Sequence, residues 1–84
     1  MNKKYEIDIV TDTVTFENIM ENLKKSVPGV KVLEIVMEGR GTGWPTIEIE
    51  IPNGSFDNLR MWYEGASSLE ECELQNEDWR AMER

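Results

Sequence analysis

Carboxylates are the groups in this chain whose type and spacing could do chemistry. Six of the 17 fall in three separated stretches, as Glu6 and Asp8, Glu34 and Glu38, and Glu48 and Glu50. Each pair is an even number of residues apart, so in an extended strand its members share one face. Acids gathered that way can draw in a cationic partner, hold a hard cation, or exchange protons inside a cleft. The rest of the reactive inventory is thin. There is no histidine, which removes the usual general base, the usual pH switch and the commonest metal ligand.

The other candidates read more simply as structure. Cys72 is the single cysteine, so it has no partner for an internal disulfide. With no imidazole to activate it, it reads as an inert core thiol. Gly39-Arg40-Gly41-Thr42-Gly43-Trp44 is rich in glycine but lacks the strand-to-helix context of a dinucleotide fingerprint, so it reads as a hairpin turn. Asn53-Gly54-Ser55 matches a glycosylation sequon, yet Asn-Gly is the stronger signal for a turn. A calcium loop of the D-x-D-x-D-G kind does not occur, and a flat strand face spreads its oxygens instead of converging them. No Ser/His/Asp set or phosphate-binding loop is present. The expectation is a protein without catalysis, metal or cofactor.

The elements that must position the acids follow from hydrophobic periodicity. Residues 4–10 alternate, with Tyr5, Ile7 and Ile9 on one side and Glu6 and Asp8 on the other, as in a half-buried strand. Residues 15–26 switch to the helical period through Phe16, Ile19, Met20 and Leu23, extended by Val27. Thr13 or Thr15 would cap this helix and Pro28-Gly29 would end it. Residues 30–38 form a second strand, with Leu33, Ile35 and Met37 inward and Val32, Glu34, Val36 and Glu38 outward. Residues 44–51 form a third, with Ile47, Ile49 and Ile51 inward and Thr46, Glu48 and Glu50 outward. Pro45 would stand at its start, where the missing N–H is tolerated. A second helix is expected over 56–64, capped by Ser55 and stopped by Gly65.

Residues 69–75 are ambiguous. As a fourth strand they would add Glu71 and Glu73 to the outward acids, and this reading completes a compact order. Two capping-box spacings, Ser67 to Glu70 and Ser68 to Glu71, together with the lack of β-branched residues, favour a helix instead. The fold class expected is α+β: a two-layer sandwich of ferredoxin-like order, β-α-β-β-α followed by β or α. Its helices lie on one face of a mostly antiparallel sheet. Residues 1–75 make a single domain, and 76–84 a short C-terminal helix or tail.

Charge then narrows the function. The chain has 84 residues, 17 acidic and 9 basic, for a net charge of −8. Such a body repels nucleic acids and anionic membranes and attracts basic partners. No apolar run is long enough to span a membrane, and residues 1–10 lack the apolar core of a secretory signal. A lone cysteine fits a reducing compartment, so a cytoplasmic location is expected, the host cytoplasm if the protein is viral. Strand parity gathers Glu6, Asp8, Glu34, Glu38, Glu48 and Glu50 on the uncovered face, and Lys31 falls with the inward set. The face is therefore expected to be of one sign, with Val10, Val32 and Val36 as apolar islands.

Directly opposed like charges disfavour a sheet, so a single-sign face is a candidate surface for a cationic partner. The leading expectation is a small acidic binding protein that imitates nucleic-acid charge and blocks a basic nucleic-acid-binding protein or nuclease. In size and acidity it resembles, as a class, the small inhibitors that phages deploy against host nucleases, restriction systems and transcription regulators. The alternative is a protein-interaction module, an assembly subunit or antitoxin-like neutraliser, using helix contacts and Trp79.

Overall fold

The structure is a computed structural model. It describes residues 2–84 except Asp12, Arg40 and Thr42, and omits the side chains of Thr13 and Val14. In chain order it contains β1 (Asn2–Asp8), α1 (Thr13–Ser26), β2 (Lys31–Val36), β3 (Thr46–Pro52), α2 (Phe56–Glu64) and α3 (Asn76–Met82). Short 3-10 turns occur at Asn53–Ser55 and Leu69–Glu71. The fold is α+β. β3 is the central strand of a three-stranded sheet, and both β1 and β2 run antiparallel to it.

One core holds the two layers together. Tyr5, Ile7, Ile47, Ile49 and Ile51 line the inner face of the sheet, with Ile9 just beyond β1. Phe16, Met20, Leu23 and Val27 come down from α1 and its end, Leu59 from α2 and Trp79 from α3. The alternation in β1 and β3 and the helical stripe of α1 therefore bury the side chains expected of them. Each buried aliphatic contributes about 1.5–3 kcal/mol, which is how a chain of this size holds together.

The boundaries have local causes. α2 closes with a Schellman motif: Ala66 N–H reaches the Met61 carbonyl at 2.9 Å, Gly65 N–H bonds Trp62, and Gly65 takes φ +65°. Ser55 precedes α2 but does not cap it with its side chain; its hydroxyl donates to the Pro28 carbonyl and pins the α1–β2 turn instead. Gly29 in that turn has φ +79°, and a Cβ there would meet Pro52 Cγ at 2.7 Å, so no larger residue fits. α1 begins at Thr13, which places Thr15 inside the helix; capping by the Thr13 side chain lies outside the described residues.

Residues 69–75 are not a strand. Leu69–Glu71 form a 3-10 turn, and an irregular segment leads into α3. The run lacks β-branched side chains, and its backbone donors are already claimed: Glu73 N–H and Leu74 N–H both donate to the Glu64 carboxylate, at 2.6 and 3.3 Å to Oε1. α3 then starts at a box that neither serine pair foretold, with Gln75 N–H donating to Asp78 Oδ2 at 2.9 Å. The free edge of β1 is taken up by the last residues of the chain. Tyr5 and Glu83 form an antiparallel bridge, and Arg84 N–H donates to the Lys4 carbonyl at 2.8 Å.

A bulge changes β2. The register pairs Lys31 with Glu50 and Val32 with Ile49, then shifts so that Glu34 pairs with Glu48, Ile35 with Ile47 and Val36 with Thr46. Leu33 is the extra residue. The expected parity therefore holds from Glu34 onward and is inverted before it: Val32 packs against the core and Lys31 turns outward. The inward set expected for this stretch is not buried. Leu33, Ile35 and Met37 are 45%, 47% and 41% exposed, because β2 is an edge strand that the helices barely cover.

Candidate functional site

The outer face of the sheet is built from cross-strand rows, since paired residues in an antiparallel sheet share a face. The middle row is Glu6–Glu48–Glu34, one carboxylate from each strand. Neighbouring strands lie about 4.8 Å apart, so three acids occupy roughly 10 Å. The row on one side is Lys4–Glu50–Lys31, and the row on the other is Asp8–Thr46–Val36. Glu6 and Glu48 are half-buried by their neighbours and Glu34 is exposed.

The face is thus not of one sign. Lys4 lies outward at the start of β1, and the bulge brings Lys31 to the same side, so Glu50 stands between two lysines. Arg84 reaches over from the C-terminus, its Nη2 3.3 Å from Glu6 Oε1. Asn2 Nδ2 donates to Glu50 Oε2 at 3.1 Å, and the Thr46 hydroxyl donates to Asp8 Oδ1 at 2.9 Å. What survives of the expected acidic surface is a row of three acids, in which Glu6 already meets Arg84, beside a row of mixed charge.

The other sequence-derived candidates lie elsewhere. Glu38 is in the turn after β2, exposed but outside the sheet. Glu71 and Glu73 belong to the α2–α3 connection. The Glu71 carboxylate accepts the Ser67 N–H at 2.8 Å, and Glu73 bonds Glu64 through its backbone. Trp79 is 2% exposed and packs edge-on against Tyr5, Phe56 and Tyr63, with ring centroids 5.5–5.7 Å apart. A partner cannot reach it without displacing α3. Burial, with the Glu64 carboxylate nearby, pushes the Cys72 thiol up, away from the thiolate a nucleophile needs. Among the described residues, no three acids or thiols converge to hold a metal ion.

Two features were not read from the sequence. A groove of about 1080 Å³ opens between α1 and α2, with Ile9, Val10, Ile19, Met61 and Trp62 among its walls. Trp62 stands half-buried at its side. The apolar flank of β2 is the other. No helix among the described residues is long and apolar enough to cross a membrane. No protein-family model, curated protein or solved structure matches the chain.

Proposed function

We propose that this chain is a small non-catalytic binding protein whose acidic stripe docks on a basic surface, its carboxylates standing where nucleic-acid phosphates would lie. One observation carries the reading: Glu6, Glu48 and Glu34 are set directly across from one another. Opposed like charges oppose folding, and a mixed row would relieve that repulsion within the sheet itself, whereas here a cation such as Arg84 has to be brought in from outside it. Lys4–Glu50–Lys31, immediately beside it, is such a mixed row in the same sheet. A spacing of about 4.8 Å gives a line of charge comparable to a nucleic-acid strand, and the net charge of −8 steers a cationic partner toward it.

The partner is a basic nucleic-acid-binding protein or nuclease, met in the cytoplasm, and the mode of action is competition. On the same footing we read the fold as ferredoxin-like, with β3 inserted between β1 and β2 and the Tyr5–Glu83 bridge as the remnant of a fourth strand.

The test is competition against duplex DNA. The chain is immobilised in cytosol at low salt, and a basic protein that elutes on a salt gradient is isolated with a labelled duplex bound to it. Added chain should displace the duplex, less so at higher salt, and Glu48→Gln together with Glu34→Gln should blunt the displacement. A captured protein that keeps its DNA, or displacement unaffected by those substitutions, refutes the proposal.

A further inference from the structure

The sheet has two rims, and among the described residues one of them is closed by neighbouring chain. Along β1, the Tyr5–Glu83 bridge and the bond from Arg84 N–H to the Lys4 carbonyl take the place of a neighbouring strand. Along β2, the rim away from β3 faces no strand among the described residues. Edge strands that stay solitary are defended by charge, proline or a covering segment. This one carries a bulge and the charges of Lys31 and Glu34, yet it also presents Leu33 and Ile35, each nearly half exposed, with Met37 just beyond.

We propose that β2 pairs antiparallel with β2 of a second copy of this chain, about a two-fold axis at Val32–Leu33, to form one six-stranded sheet. The bulge sets the register. Lys31 and Glu34 are three residues apart, and in a regular strand that spacing would put them on opposite faces. Here Lys31 pairs with Glu50 and Glu34 with Glu48, positions two apart on β3. They therefore share a face and the same hydrogen-bonding sense toward the rim.

Pairing about this axis sets Lys31 opposite Glu34 of the second copy, and symmetry repeats the contact. On the inner face Val30 meets Ile35 of the second copy, which carries the apolar layer across the seam. Sliding to the next register in either direction brings Glu34 against Glu34 or Lys31 against Lys31. The strand is thus complementary to itself in one register and repelled in its neighbours, as an isologous contact requires. An unrelated extended peptide has no reason to match that pattern.

Sedimentation equilibrium from micromolar to millimolar protein tests this. The wild-type chain should approach twice its 9.8 kDa mass as concentration rises. Lys31→Glu and Glu34→Lys should each weaken self-association about tenfold or more, because two seam contacts turn repulsive at once. An equimolar mixture of the two variants should recover wild-type association, since opposite charges then meet at both contacts. Glu34→Lys places a cation beside Glu48 and leaves the protomer folded, as its thermal melt should show. A single species of monomer mass throughout overturns the proposal. So does a dimer indifferent to both reversals, a mixture that stays monomeric, or an edge that binds extended peptides while the chain itself never associates.

Discussion

Glu48 and Glu50 are neighbours of the same type on one face of one strand, yet removing their charges should shift stability in opposite directions. Glu48 lies between Glu6 and Glu34, and Glu50 lies between Lys4 and Lys31. Each directly opposed charge pair is worth about 0.2–1 kcal/mol, unfavourable for like signs and favourable for unlike. Glu48→Gln relieves the repulsion from both neighbours, softened where a cation meets them, as Arg84 does at Glu6. The expected gain is about 1 kcal/mol, or an upward Tm shift of about 5 °C for a domain of this size. Glu50→Gln loses two attractions, and its Tm should fall by a similar amount. Thermal unfolding followed by circular dichroism at low salt measures both. At molar salt the Debye length shrinks to about 3 Å, and both shifts should contract toward zero. Equal shifts of the same sign in the two variants, or a lower Tm for Glu48→Gln at low salt, would show that the rows do not act as described. The result also bears on function: a variant that folds better and binds worse identifies the charge as retained for binding.

Two further outcomes follow from the core. Trp79→Ala should cost about 3–5 kcal/mol, most of the margin of so small a domain, because it empties the space between Tyr5, Phe56 and Tyr63; denaturant titration should show a large drop in midpoint, and an unchanged midpoint would place the indole outside the core. At alkaline pH the two tyrosines should set the limit of stability. Burial raises the Tyr5 hydroxyl above its usual value, with Glu83 adding to it, and burial raises Tyr63, with Asp8 and Glu64 adding. Both ionise later folded than unfolded, so their contribution is full below about pH 10 and is lost as pH climbs through the folded values. Tyr5→Phe and Tyr63→Phe should flatten that loss, and an alkaline limb unchanged in both would exclude them as its source.

Much of the fold was legible because periodicity reports burial. Ile7, Ile47, Ile49 and Ile51 alternate with acids, and Phe16, Met20 and Leu23 repeat at the helical period, so their faces follow from spacing alone. Val32-Leu33-Glu34-Ile35-Val36 is different. Apolar residues occupy both parities there, so alternation cannot locate an inserted residue, and the bulge that turns Lys31 outward leaves no mark in the pattern. Lys4 was legible, since it shares the parity of Glu6 and Asp8. Its weight appears only once Glu50 is known to lie opposite. The Arg84–Glu6 contact spans nearly the whole chain and has no local signature. The strand reading of 69–75 failed because it rested on completing the sheet, a need the last two residues of the chain meet instead.

The order of the strands also dictates when the sheet can come into being. Its middle member is the third in the sequence, and both flanking members wait for it: β1 lies some forty residues upstream of β3, the strand it pairs with along its length. Residues 2–36 alone therefore own two strands that do not pair with each other. Such non-local closure slows folding relative to a simple meander. A chain severed between β2 and β3 would leave two fragments, each ordered only in the company of the other.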